Sequence, residues 1–262
     1  IYSQFRFAEG LEVLCKVLDC NGYAKLHTKN NLIVGRKVRY EYKKDEWETY
    51  TIESMTEDKC VIKSVNGDKH KVKQTEVYPC YYALWTGSEK EDIRQEILNI
   101  YNADNNMYGQ KLLILMTTEA GSEGISLFNV RQVHILEPFW NNVRSSQVEG
   151  RARRVKSHIK LPKEQQNFTV YNYINKIDMK KIKKDVEKQQ GGGIEDSTPE
   201  ELIESYDKGE TSDQALVDIA KRKDDINNKF LQLVKEVAVD CNFNKKINEK
   251  SDSKLKGMHC YN

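Results

Sequence analysis

Lys111-Leu112-Leu113-Ile114-Leu115-Met116 is an almost continuous apolar run that ends in a glycine-bearing loop, Gly121-Ser122-Glu123-Gly124. A run of that length bounded by turn residues reads as a strand buried on both faces, which belongs to a parallel sheet covered by helices. A glycine-rich loop at the carboxyl end of such a strand is where open parallel sheets place their ligands. A second strand, Gln132-Val133-His134-Ile135-Leu136, is closed by Pro138, and Asn141 to Arg154 can form a helix carrying Arg144, Arg151, Arg153 and Arg154.

Within that helix the spacing Gln147-x-x-Gly150-Arg151-x-x-Arg154 puts Gln147, Arg151 and Arg154 on one face. Two guanidinium groups one turn apart suit a polyphosphate, because the planar fork binds phosphate oxygens bidentately and stays charged at any working pH. The loop Ser122-Glu123-Gly124-Ile125-Ser126-Leu127, then Trp140-Asn141, then Gln147 to Arg154, resembles motifs V, Va and VI of superfamily 2 helicases and Swi/Snf-type DNA translocases. Ser126 stands where that family has Asp or Asn. The resemblance implies an α/β fold, a RecA-like parallel sheet with helices on both faces.

Net charge is nearly balanced, with 42 basic and 40 acidic residues, so any nucleic-acid surface has to be local. Cys15, Cys20, Cys60, Cys80, Cys241 and Cys260 show no zinc spacing, which favours reduced intracellular thiols. No apolar run approaches the roughly 20 residues that span a bilayer. The chain starts without Met, on what looks like a strand already under way, and reads as part of something longer.

The opening Ile1-Tyr2-Ser3-Gln4-Phe5 precedes a helix with apolar Phe7, Leu11, Leu14 and Leu18 that Gly22 can end. It resembles helicase motif IV. Ser3 and Gln4 have two readings here: contact with a nucleic-acid phosphate, or capping of the helix. Asn30 to Pro79 then break the family order with alternating β-formers, Lys37–Tyr42, Trp47–Ile52, Lys59–Val65 and His70–Lys73, and the hairpin signal Asn66-Gly67. Such strands suggest an inserted small Tudor- or KOW-like β-barrel. Its Tyr40, Tyr42, Trp47 and Tyr50 could stack on bases, although packing of a small core is the more common use of strand aromatics.

Tyr81-Tyr82-Ala83-Leu84-Trp85 resumes the sheet. Thr86-Gly87-Ser88 then leads to a helix with a capping box Ser88-x-x-Glu91, a turn that can either cap the helix or hold a backbone phosphate. Phe168 to Ile174 is a last strand. Lys180 to Ser197, with three consecutive glycines, reads as a linker, and Thr198-Pro199-Glu200-Glu201 and Thr211-x-x-Gln214 open helices, the second with the stripe Leu216, Ile219, Ile226, Phe230, Leu233 and Val237. Such a stripe usually packs against a core. This tail, with Glu137 to Arg154, resembles helicase-like ATPases of large DNA viruses, a group that includes the poxviral early transcription ATPases.

The expected organisation is a helicase C-terminal lobe over residues 1–29 and 80–178, the insertion over 30–79, a linker over 179–197 and a helical extension over 198–262. No G-x-x-x-x-G-K-[ST] occurs in the sequence. The resemblance therefore implies that ATP and Mg²⁺ are held by an N-terminal lobe of the same protein, and that this chain alone is inactive. It also implies that Arg151 and Arg154 act on the γ-phosphate with Gln147 orienting them. Gly121, Gly124, Ser126 and Gly150 would face the nucleotide. Ser3, Gln4, Gly87, Ser88, Thr117, Thr118, Trp140 and Asn141 would face nucleic acid, duplex DNA first, in a viral transcription or replication setting. The other reading is a catalytically passive nucleic-acid-binding scaffold of a transcription complex. His134 reads as a packed histidine, and Glu137, before Pro138, as a strand end.

Overall fold

The structure, a computed structural model, describes residues 1–7, 10–28, 32–119, 124–176, 211–251 and 259–261. The expected linker, the Thr198 capping box and Gly121 lie outside them. By contact the chain divides into two units, one of Ile1–Glu137 with Ser145–Tyr173, the other of Pro138–Arg144 with Ile174–Asn262.

The first unit is built on a parallel sheet. Strands β1 (Ala24–Lys25), β7 (Tyr81–Trp85) and β8 (Ile114–Thr117) pair side by side, as do β9 (Gln132–Ile135) and β10 (Thr169–Asn172). The two groups are joined by the first residues of the chain. Tyr2 bridges in parallel to both Thr117 and Ile135, its N–H donating to the His134 carbonyl at 2.8 Å and its carbonyl accepting from Leu136 N at 3.0 Å. A three-residue segment is thus the middle strand.

Side-chain alternation on β7 explains the two covered faces. Tyr82 and Leu84 pack with Met116 against Leu11 and Leu18 of helix α1 (Leu11–Cys20). Ala83 and Trp85 pack with Leu115 and Ile125 against Ile97 of helix α2 (Glu91–Asn102). Burial on both faces is why the strand reads as an unbroken apolar run. The fold class is the expected one, a RecA-like parallel α/β sheet.

Helix α1 starts later than its apolar spacing suggests: Phe7 lies outside it and is exposed. It ends as expected, with Gly22 at φ +85°. A Cβ there would sit 2.2 Å from the Gly35 carbonyl oxygen, so both the backbone region and the close approach call for glycine.

Between β1 and β7 the chain forms an antiparallel sheet of β2 (Lys37–Lys43), β3 (Glu46–Met55), β4 (Lys59–Lys63), β5 (Lys69–Lys73) and β6 (Val77–Pro79), in the order β5-β4-β3-β2-β6. It has its own core of Val38, Tyr50, Ile52, Cys60, Ile62, Val72 and Val77. Among the described residues the ladder is open, with β5 paired only to β4 and β6 only to β2. Its aromatics mostly pack: Tyr50 is buried, and Trp47 stacks on Tyr108 of the parent domain at 6.0 Å. Arg39 Nε donating to the Tyr108 carbonyl at 3.1 Å and Gln165 Nε2 donating to the Asp45 carbonyl at 3.0 Å complete the attachment.

The second unit contains helix α4 (Ser212–Val237) and helix α5 (Cys241–Ser251). Thr211 forms the expected capping box with Gln214 and also donates to the Asn175 carbonyl at 2.6 Å. Two expectations are corrected here. The apolar stripe of α4 is largely uncovered, Ile226 being 66% and Phe230 63% exposed. Cys241 and Cys260, expected to be free thiols, form a disulfide. Their pairing, 19 residues apart, has no local sequence signal. Cys15, Cys20, Cys60 and Cys80 are free.

Candidate nucleotide and nucleic-acid site

Helix α3 (Asn142–Ala152) carries Gln147, Gly150 and Arg151, and Asn141 caps it by accepting from Val143 N at 3.2 Å. The helix does not reach Arg154, contrary to the spacing argument. Ser157 is buried and its hydroxyl donates to the Ala152 carbonyl at 3.1 Å, closing the helix, while Lys156 adopts φ +66°. Arg154 therefore stands on the turn just beyond the helix.

That displacement aims Arg154 at the loop after β8, where its guanidinium donates to the Ser126 hydroxyl. Ser126 is itself held, because Asn102 at the end of α2 donates to its carbonyl at 2.9 Å and accepts from Phe128 N at 3.0 Å. Nearby in sequence, Gly124 is exposed and has φ +78°, a conformation that favours glycine. Two positions widely separated in sequence, Ser126 and Arg154, thus meet on an exposed rim. Gln147 and Gly150 are exposed and Arg151 is half-buried. A Cβ at Gly150 would meet nothing within 4 Å. A glycine inside a helix costs about 0.5–1 kcal/mol relative to alanine, so packing within this chain does not explain it.

The residues assigned to nucleic acid separate into two kinds. Gly87, Ser88 and Trp140 are exposed. Ser3, Thr117 and Thr118 are buried, with Ser3 at 0% exposure. Ser3 and Gln4 are joined by Glu137, which accepts from Ser3 Oγ at 2.6 Å and from Gln4 N at 3.0 Å. Its carboxylate ends β9, as expected, and also ties that end to the middle strand. An acid before proline at the end of an apolar strand was the available signal. Glu137→Ala removes the acceptor of the Gln4 N–H and one of two acceptors of the Ser3 hydroxyl, which keeps the Phe5 carbonyl at 3.0 Å, and is expected to cost about 1–2 kcal/mol. Glu137→Gln keeps one acceptor and should cost less. Chemical denaturation of the two variants measures the difference.

The turn after β7 is also built differently. No Ser88–Glu91 box forms, since the residue before α2 is Lys90 with no side-chain cap. Instead Glu89 accepts from Thr86 N at 2.8 Å and from the Thr86 hydroxyl, and it pairs with Arg6 Nη2 at 2.8 Å. Thr86 is buried, so its hydroxyl needs that internal partner, and Ser88 stays exposed. His134 is packed as expected, stacked against Tyr171 at 4.9 Å with Nδ1 2.8 Å from the Tyr173 hydroxyl. Burial holds its pKa below the usual value.

Among the described residues no group of three or more His, Cys, Asp or Glu side chains could hold a metal, and no helix is long and apolar enough to cross a membrane. The donor set at the Gly124–Ser126–Arg154 rim, a guanidinium, a hydroxyl and an open glycine backbone, fits an anionic phosphate.

The sequence model of the helicase conserved C-terminal domain matches residues 38–156, from β2 to just past Arg154. A protein of Acanthamoeba polyphaga mimivirus named as an ATP-dependent RNA helicase is 35% identical over 172 residues, 66% of this chain and 18% of that protein. A homologue of termination factor NPH-I from African swine fever virus is 29% identical over 244 residues, 93% of this chain and 30% of that protein. Among solved structures, the C-terminal part of the Fun30 ATPase domain is 17% identical with a TM-score of 0.30, covering 54% of this chain and 39% of that one. The chain thus spans less than a third of the length of these two viral relatives. The matched residues run through the sheet, the glycine loop and the arginine-bearing helix described above, so residues 38–156 are similar to a helicase conserved C-terminal domain.

Proposed function

We propose that this chain is the C-terminal lobe of an ATP-dependent nucleic-acid translocase or helicase, acting in viral transcription or replication. The observation that carries the reading is the approach of Arg154 to Ser126 beside Gly124. It sets a permanently charged planar donor at Ser126, in the segment that follows a strand of the parallel sheet, where such folds bind phosphate. The lobe is residues 1–29 and 80–178, the insertion 30–79, the linker 179–197 and the helical extension 198–262.

ATP with Mg²⁺ belongs to the N-terminal lobe in this reading, and what bound ATP supplies is the phosphoryl group whose transfer to water drives movement. Arg154 and Arg151 neutralise charge on its outer oxygens. Gln147 orients them, and Gly121, Gly124 and Gly150 allow close approach. Gln4, Gly87, Ser88, Trp140 and Asn141 form the nucleic-acid side, while Ser3, Thr117 and Thr118 act from within as its support. Duplex DNA is the favoured track. The scaffold reading gains nothing from the geometry, because the arginine pair is intact and Arg154 is exposed.

The test is ATP hydrolysis by the full-length protein with duplex DNA, with single-stranded RNA and with neither, beside this chain alone. Stimulation by duplex DNA with an inert chain is the expected result. A full-length protein that binds nucleic acid but never hydrolyses ATP would replace this reading with the passive scaffold.

A further inference from the structure

Three contacts inside the second unit converge on the segment that leads into α3. Lys223 Nζ of α4 stands 3.7 Å from the centroid of the Trp140 ring. The adjacent Asp224 carboxylate accepts from Asn142 Nδ2. Arg144 lies 4.0 Å over the Phe139 ring. By contact, Pro138–Arg144 groups with Ile174–Asn262 rather than with the strand it continues. Two neighbouring side chains on one turn of α4 therefore hold residues 140 and 142 together, the first by a cation over an indole face and the second by a charge-assisted hydrogen bond.

Trp140 remains 46% exposed, so apolar burial does not lock its ring: Phe139 packs tilted against it at 5.5 Å between centroids, and Lys223 covers a face. A basic run such as Lys221-Arg222-Lys223 could itself bind phosphate. Here Lys221 pairs with Asp218 at 3.8 Å, and Asp224 and Asp225 follow directly, so the local charge is mixed. Lys223 is also half-buried and engaged with the indole, which favours an internal partner over a nucleic-acid backbone.

We propose that Lys223 and Asp224 are positioning residues that hold the Trp140–Asn142 segment for nucleic acid. The C-terminal extension thereby sets how strongly nucleic acid drives ATP hydrolysis. The inference rests on the reading that Trp140 lies on the nucleic-acid side. It adds that the extension is part of the coupling apparatus, with Asn142 as the link because it is both the residue held by Asp224 and the first residue of the helix bearing Arg151.

The experiment compares full-length wild type with Lys223→Ala, Lys223→Arg and Asp224→Ala. For each, the duplex-DNA concentration giving half-maximal stimulation, the kcat at saturating DNA and the unstimulated rate are measured. Acrylamide quenching of Trp140 is taken by difference from the matching Trp140→Phe protein. Lys223→Ala is expected to raise the half-maximal concentration about two- to fivefold, the size of an exposed cation–π contact. Its unstimulated rate should be unchanged and its Trp140 more readily quenched. Lys223→Arg should restore both, since guanidinium also sits over indole.

An unchanged half-maximal concentration in Lys223→Ala overturns the proposal, as does a Lys223→Arg protein as impaired as the alanine variant. A wild type that DNA does not stimulate removes the motor reading instead. In that case the quenching comparison still decides the contact, because equal quenching of wild type and Lys223→Ala means that Lys223 does not hold Trp140.

Discussion

Arg154→Ala in the full-length protein is expected to lower the nucleic-acid-stimulated kcat by about 10³-fold, the lower end of what an arginine finger contributes. The guanidinium is exposed and, among the described residues, anchored at the Ser126 hydroxyl, so its loss opens no buried cavity there. Stability should change by no more than about 0.5 kcal/mol, as for other surface substitutions, and nucleic-acid binding should persist. Arg154→Lys is expected to recover little, because an ammonium is a point charge without the planar fork. Steady-state ATP hydrolysis with DNA titration, beside thermal unfolding, separates loss of chemistry from loss of fold. A variant that hydrolyses ATP at the wild-type rate would remove Arg154 from the catalytic role.

Asn106→Ala is expected to destabilise the first unit by about 3–5 kcal/mol, from several backbone groups losing their partners at once. Asn106 is 5% exposed, and its side chain uses every hydrogen-bonding position it has. Nδ2 donates to the carbonyls of Tyr101 at 2.9 Å and Leu112 at 3.0 Å. Oδ1 accepts from Lys111 N and Leu112 N, both at 2.8 Å. These bonds shape the turn that carries the chain from α2 into β8, and β8 leads to the glycine loop. Asn106→Asp keeps the acceptors but loses both donors and buries a carboxylate beside two carbonyls, so it should be no milder at neutral pH. Urea unfolding of both variants measures the loss, and an Asn106→Ala protein as stable as wild type would show that the turn finds other partners.

Periodicity was enough for most of the architecture because it is a local property. The apolar run at β8, the capping box at Thr211 and the Asn66-Gly67 turn, where Gly67 takes φ +100°, each follow from residues within a few positions of one another. The expected strands of the insertion appear with small shifts, and only the three-residue β6 was not foreseen. The arginine residues were also legible, since their spacing and chemistry are written in one short stretch. Their geometry was not. Helical spacing placed Arg154 beside Arg151, whereas a buried serine beyond the helix end turned it toward Ser126.

What the sequence by itself determined, then, is the order of strands, loops and helices, the parallel α/β class, and the residue types that meet at the Ser126–Arg154 rim. Only the tertiary structure decided that Ile1–Ser3 is the middle strand, that Glu137 joins it to β9, that Asn106 satisfies a buried turn, and that Lys223 and Asp224 hold the Trp140 segment. The reason is the same for each. Buried polar groups must find partners wherever the folded chain offers them, and those partners lie at separations that no local pattern encodes.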